Sequence, residues 1–328
     1  MTPTDPLPHV IVPFAVADDD ACRQRLGELD LPHLMRLLGS WVVQAHDVSG
    51  PYSLNTPHER AWAHALGWHA RADGCLPLAA QAAGLRGVAC AWLHLCQWTV
   101  GMEYVSIQPG GGTHWTDDES RALLSALQPL AQEDGLTLVW ESPDRWRAEG
   151  PLLAEMPWAS VDRVAHRRLD GWMPQATTPG ASTLLRLQNE AQMLFYTHPV
   201  NDARLARGLP AVNGFWISGA GQLSDHEQLG PVPHMVTALR SAALQSDWNA
   251  WGQAWQALDA EVIAPLLDSP SGHDTHRLTL CGERGWRRWS PRTPSHGGQQ
   301  TGDDTWWRRL WPRRRPQPVS VPSVLADL

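Results

Sequence analysis

Short apolar runs, rich in β-branched and aromatic residues, alternate along this chain with segments that carry helical spacing and helix-start signals. HVIVPFAV (9–16) is the first run and reads as a buried strand. LPHLMRLLG (31–39) follows, with leucines at helical spacing and a terminal glycine suited to a C-cap. TPHERAWAHALGW (56–68) predicts a second helix, capped by Thr56, with Pro57 in its first turn and Glu59 at the third position. Further on, STLLRLQNEAQMLFYTH is a helix with Leu184, Leu187, Ala191 and Leu194 as its apolar stripe, VNGFWIS (212–218) a buried strand, and WNAWGQAWQALDAEVIAPLLD (248–268) a long helix. HRLTLCGE (276–283) is a final strand. Strands alternating with helices predict an α/β fold: a largely parallel sheet flanked by helices.

One block breaks the alternation. RGVACAWLHLCQWTVGMEYVSIQPGGG predicts one or two strands interrupted near Gly101, and Thr116-x-x-Glu119 is a capping box that opens an amphipathic helix ending near Gly135. LTLVWES (136–142) and RWRAEGPLL then read as two strands. The expected organisation is an α/β core over 1–85 and 166–289, a small inserted α+β subdomain over 86–165, and a tail over 290–328. The tail is rich in Pro, Gly, Gln and Arg, predicts disorder, and contains WWRRLWPRRRP (306–316). Its removal is expected to leave the fold intact.

Composition removes several function classes. All 26 basic residues are arginine, so Schiff-base chemistry and a P-loop lysine are both excluded. No run approaches the ~20 apolar residues of a membrane span. The N-terminus lacks a basic start before HVIVPFAVA, and the five cysteines form no C-x-x-C pair, which points to a reducing, cytoplasmic setting. The net charge is −8; the tail from Ser290 carries +3, with six arginines against Asp303, Asp304 and Asp327, leaving −11 on the rest. An acidic body gives no platform for nucleic acid. The basic tail suits an acidic protein or a membrane surface, or is simply solvated.

The segment HPVNDARLARGLPAVNGFWISGAG (198–221) concentrates polar groups beside an apolar strand. In α/β sheets ligands sit at strand carboxyl ends, and the glycines after FWIS are expected there. Arg204 and Arg207, three apart, can converge on one anion, with Asn201 and Asn213 as neutral partners. That constellation suits a phosphate or carboxylate. The plainer alternative pairs the arginines with carboxylates and uses the asparagines to cap turns.

The pattern N-x-x-R-x-x-R-G-x-P-x-x-N, followed by an apolar strand and G-x-G, resembles a segment of the archaeal-type cofactor-independent phosphoglycerate mutases of the alkaline phosphatase superfamily. LPHLMRLLG resembles the superfamily's T-P-N-L-D-x-L-A-x-x-G helix, and THWTDDESRALLSAL the L-S-x-E-E-A-x-x-L-x-x-A-L segment of the inserted domain. The chain is also similar to bacterial proteins labelled in some cases phosphoglycerate mutase and in others a regulatory protein of the pathogenicity-factor type. The resemblance implies an alkaline-phosphatase-like core, two divalent metals held by aspartates and histidines, and a serine or threonine nucleophile. Three positions depart from it. Pro13-Phe14-Ala15 stands where Asp-Gly is implied, and the first aspartate after it is Asp18. Pro57-His58-Glu59-Arg60-Ala61 has no serine where the nucleophile motif falls, and Gly282-Glu283 replaces Asp-His after the last strand.

Other mixed clusters carry metal-ligating residue types: His273, Asp274 and His276; Asp225, His226 and Glu227; His46 with Asp47. With 15 histidines such neighbours arise by chance, and no metal or cofactor is expected. His58-Glu59 is an acid/base pair or a helix cap; Ser106, Ser218 and Ser224 lie outside any G-x-S-x-G elbow; Cys281 is a reactive thiol only if exposed. The expectation is a degenerate, non-catalytic mutase-like protein with a binding or regulatory role. Its ligand, a small phosphorylated or carboxylate molecule, would be held by Asn201, Arg204, Arg207 and Asn213. The alternative is an active metal-dependent mutase or phosphotransferase with relocated ligands.

Overall fold

A computed structural model describes residues 9–68, 70–102, 104–110, 115–175, 178–268, 276–292, 320–326 and 328. Its strands are β1 (His9–Val12), β2 (Val42–Val48), β3 (Ala89–Val100), β4 (Val105–Pro109), β5 (Thr137–Ser142), β6 (Arg145–Glu149), β7 (Gly214–Gln222), β8 (His234–Met235), β9 (Arg277–Cys281) and β10 (Gly285–Ser290). Its α-helices begin with α1 (Asp20–Glu28), α2 (Pro32–Ser40), α3 (Pro57–Leu66), α4 (Leu78–Ala82), α5 (Asp117–Glu133) and α6 (Val161–Val164). They continue with α7 (Ala181–Tyr196), α8 (Pro199–Ala206), α9 (Arg240–Leu244), α10 (Trp248–Leu258), α11 (Ala264–Asp268) and α12 (Val321–Leu325). The chain divides into two units: residues 1–49 with 232–328, and residues 50–231.

The first unit is built on a five-stranded sheet in the order β2-β10-β9-β1-β8. β1 runs parallel to β9 and β8, whereas β10 is antiparallel to β9 and β2. Val10, Val12, Leu278 and Leu280 alternate onto one face, as period-2 spacing requires, and join a buried cluster with Leu34, Leu37, Trp251 and Trp255. α2 has no capping side chain of its own at Leu31. Asp259 takes that role: its carboxylate accepts from the backbone N–H of Leu34 at 2.7 Å and of His33 at 3.2 Å. Asp259 starts a π-helical turn, Asp259–Ile263, between α10 and α11.

The second unit holds a sheet that is antiparallel throughout. The 12-residue β3 is its centre. β7 runs along one side of β3, while β6 and β4 share the other in tandem, opposite Cys90–His94 and Cys96–Val100; β5 pairs with β6. The apolar stripes of α5 and α7 (Leu123, Leu127, Ala131; Leu184, Leu187, Ala191) pack into one cluster with Leu93, Leu95, Trp146 and Phe215. Both α3 and α5 begin with complete capping boxes, Thr56–Glu59 and Thr116–Glu119.

Four expectations need correction. The sheets are not largely parallel: among the described residues the parallel strand pairs are those of β1 with its two neighbours, and one isolated parallel bridge joins Ile107 to Ala165. The second unit extends over 50–231 rather than 86–165, because β7 belongs to the same sheet as β3. Gly219-Ala220-Gly221 does not follow a strand but lies within β7. Gly219 (φ 64) sits where the ladder shifts register, and a Cβ there would meet the Trp92 ring at 2.8 Å; at Gly221 (φ 152) it would meet Pro77 at 3.0 Å. These glycines make room for protein, not ligand. Finally, the tail is ordered at both ends: Ser290 closes β10, and Val321, Leu325 and Leu328 are buried in the first unit. Trp306, Trp307 and Trp311 lie outside the described residues.

Candidate functional site

Asn201, Arg204, Arg207 and Asn213 are gathered on the path from α8 into β7, and each is engaged by protein groups. The Asn201 amide donates to the carbonyls of Phe195 and Val212, both at 2.7 Å, and accepts from Val212 N–H at 2.9 Å. Asn213 makes the same two-way contact with the backbone of Trp98, accepting at 2.6 Å and donating at 2.8 Å, so it locks β7 to β3 in register. Arg204 is fully buried; its Nε donates to the Pro210 carbonyl at 2.9 Å and its Nη1 to Glu119 Oε2 at 2.7 Å. Arg207 is half exposed, donates to Ala203 O at 3.2 Å, and pairs with the other Glu119 oxygen.

Glu119 is the residue sequence reasoning missed at this place. Its capping role in α5 was legible, but its second role depends on Arg204, 85 positions away, and no local signal reports that. Burial pulls its carboxyl up, while the Thr116 N–H and the guanidiniums of Arg207 and Arg204 outweigh burial, so it stays below the ordinary value of 4.5. One carboxylate thus joins the start of α5 to the end of α8.

A different crevice lies at the carboxyl ends of β1 and β9 in the first unit, where parallel sheets place ligands. β1 runs into Pro13-Phe14-Ala15, with Phe14 in the left-handed region at φ 57. The turn is held from several sides. The indole N–H of Trp251 donates to the Phe14 carbonyl at 2.9 Å, that of Trp255 to the Ala15 carbonyl at 3.3 Å, and Ala15 N–H to Cys281 O at 2.8 Å. Beyond it, a cavity of about 350 Å³ is lined by Val16, Asp18, Arg23, Glu283, Arg284 and Leu328, among others. Its carboxylates are engaged: Asp18 pairs with Arg23 and, at 2.5 Å, with Arg284, and Glu283 Oε2 accepts the Asp18 N–H at 2.8 Å. The hydrogen bond from Arg23 holds the Asp18 carboxyl below its usual range; slight burial opposes it and Arg284 reinforces it.

This donor set does not fit the dinuclear metal centre that the family resemblance implies. No carboxylate stands at the end of β1, and the first along the chain after it, Asp18, is already matched by two guanidiniums, whose charge repels a dication. Among the described residues, no group of three or more His, Cys, Asp or Glu is placed to hold a metal ion. His273 and Asp274 lie outside them. Glu227 is paired with Arg71 at 2.6 Å. His58 is buried beside Thr56 Oγ1 (3.0 Å) and Asp162 (3.4 Å), and Glu59 is bound to Ser160 Oγ at 2.6 Å and to Thr56 N–H, so the pair is part of a capping knot. Ser218 Oγ meets His94 Nε2 at 2.8 Å on the sheet of the second unit. None of the five cysteines, all among the described residues, is in a disulfide, and Cys281 is buried. Among the described residues no helix is long and apolar enough to cross a membrane.

No protein-family profile matches the chain, and no curated protein matches it. Among solved structures, it is similar to a cofactor-independent phosphoglycerate mutase from Thermoplasma acidophilum DSM 1728, with 14% identity over 86% of this chain and 90% of that one, at a TM-score of 0.34. It is also similar to the PH0037 protein from Pyrococcus horikoshii, with 10% identity over 88% of each chain, at a TM-score of 0.41. At these scores the likenesses carry no argument about fold or chemistry.

Proposed function

We propose that this chain is a phosphoglycerate-mutase-like protein that has lost metal-dependent phosphoryl transfer and acts by binding or regulation. The observation that supports this most is the turn after β1. The resemblance puts a metal ligand there, and this chain has instead a backbone turn whose carbonyls are tied to Trp251 and Trp255. The ion pairs of Asp18 with Arg23 and Arg284, and the hydrogen bond that Glu283 accepts from the Asp18 N–H, support the same reading, because they already engage oxygens that a cation would need. We infer that Asn201, Arg204, Arg207 and Asn213 are scaffold rather than a ligand pocket, since their polar atoms already serve the backbone and Glu119. Cysteines outside any disulfide agree with a cytoplasmic setting.

The test is elemental analysis of dialysed protein together with mutase assays on 3-phosphoglycerate and phosphatase assays on an aryl phosphate, with added Mn²⁺, Mg²⁺ or Zn²⁺. Turnover no higher than with heat-denatured protein is expected. About two retained metal equivalents with metal-dependent turnover would establish an active enzyme with relocated ligands.

A further inference from the structure

The turn between β9 and β10 presents two adjacent N–H groups, those of Arg284 and Gly285, to a single acceptor, the backbone oxygen of Leu328, at 2.7 Å each. Successive N–H groups converging on one oxygen form a nest, the arrangement by which backbones capture carboxylates and peptide oxygens. The turn closes on itself through Gly282 N–H to Gly285 O at 2.9 Å. Gly282 is shaped for what occupies the nest: a Cβ there would lie 2.5 Å from the Leu328 carbonyl carbon and 2.7 Å from its Cβ.

The occupant is held much as a bound peptide is held. α12 spans five residues, too short to be helical without a surface to dock on. It buries Val321 and Leu325, with Leu328 beyond it, and Arg287 Nη1 donates to the Val324 carbonyl at 2.9 Å. No sheet pairing joins it to the unit among the described residues. Ala326 and Leu328 also line the cavity beyond β1 and β9, so the same segment walls off that crevice.

We propose that the β9–β10 turn is a peptide-binding nest whose resident ligand is the chain's own 320–328 segment, and that the segment leaves and re-docks, uncovering the crevice at the carboxyl ends of β1 and β9. The ligand class is an apolar peptide that offers an oxygen to the two N–H groups and Leu or Val side chains to the groove beside them. This stands apart from the proposed loss of catalysis and can hold or fail without it.

Two measurements test it. In the intact chain, hydrogen exchange by NMR should show the amides of Arg284 and Gly285 exchanging at least about tenfold faster than those of Leu278–Leu280, through an opening smaller than global unfolding. Equal protection would make the segment a fixed part of the core and overturn the proposal. The second measurement titrates a synthetic peptide of residues 320–328 into a chain shortened to end at residue 319. Saturable binding is expected, weakened about tenfold or more in the intact chain, where the tethered copy competes, and in the shortened chain carrying Gly282→Ala. Equal binding to all three proteins, no binding to the shortened chain, or its failure to fold would each overturn the proposal.

Discussion

Arg204→Ala separates a ligand-binding arginine from a structural one. The side chain is fully buried, and its removal strips Glu119 Oε2 of a partner at 2.7 Å and the Pro210 carbonyl of one at 2.9 Å. Breaking a buried ion pair by deleting one partner costs ~3–5 kcal/mol. Glu119 keeps Arg207, which moves the expectation to the lower end, about 3 kcal/mol. For a unit of this size that is a fall of roughly 6–12 °C in melting temperature. Arg207→Ala, with its side chain 52% exposed, should cost less than about 1 kcal/mol even though both arginines touch the same carboxylate. Urea and thermal unfolding followed by tryptophan fluorescence give both values, and a double-mutant cycle with Glu119→Gln gives the coupling, expected at about 1–3 kcal/mol for Arg204. Were Arg204 a ligand-binding residue on the surface, its removal would hardly alter stability. A loss below about 1 kcal/mol, or an equal loss for Arg207→Ala, would refute the burial argument.

The Glu119 carboxyl lies below its ordinary 4.5 in the folded chain, so the stabilisation it supplies is complete above that value and is lost as pH falls through the folded one. Unfolding midpoints measured below pH ~4.5 should therefore drop more steeply in wild type than in Glu119→Gln. Trp251→Phe leaves the Phe14 carbonyl without its indole donor and opens a void where the larger buried ring stood; a loss of at least about 1–2 kcal/mol in urea titration is expected, and no change would show the turn stands unaided. Gly219→Ala should destabilise by more than about 1 kcal/mol, given its positive φ and the Trp92 ring at 2.8 Å. Gly39→Ala, in α2 with nothing within 4 Å of the added methyl, should instead stabilise by about 0.5–1 kcal/mol; circular-dichroism melts of the two proteins would show opposite shifts.

What was legible in the sequence was local. Capping boxes at Thr56 and Thr116, the helix over 181–196 and the strand break near Gly101 are each set by residues within a few positions of one another, and the structure places all of them. β10 was not read, because Gly-Trp-Arg-Arg-Trp-Ser lacks a β-branched residue and is a strand only through its pairing with β9 and β2. The direction of β7 was not legible either. A buried strand followed by glycines looks the same in parallel and antiparallel sheets, and the ligand-loop expectation for 219–221 came from that ambiguity. Arg204 and Arg207 meet the two oxygens of Glu119, a partner 85 positions from Arg204 that only the tertiary structure brings to them. α12 failed compositional reading because three apolar residues among prolines and serines are a weak signal until a groove receives them.

The strand order of the first unit also has a consequence for synthesis. β1 is made before residues 50–231, yet its neighbours β9 and β8 and the strand β10 that joins β2 to the sheet all come after residue 231. Emerging from the ribosome, β1 and β2 have no partners with which to form this sheet while the whole of 50–231 passes out behind them. The second unit is continuous in sequence, so it can condense first, and the exposed HVIV run has to wait for it. During that interval four buried apolar or near-apolar residues offer unpaired strand edges, the state most prone to pair with another nascent copy. Ribosome stalling far enough past residue 231 for the second unit to clear the exit tunnel, but before β9 emerges, should therefore leave 50–231 protease-resistant and 9–48 cleavable.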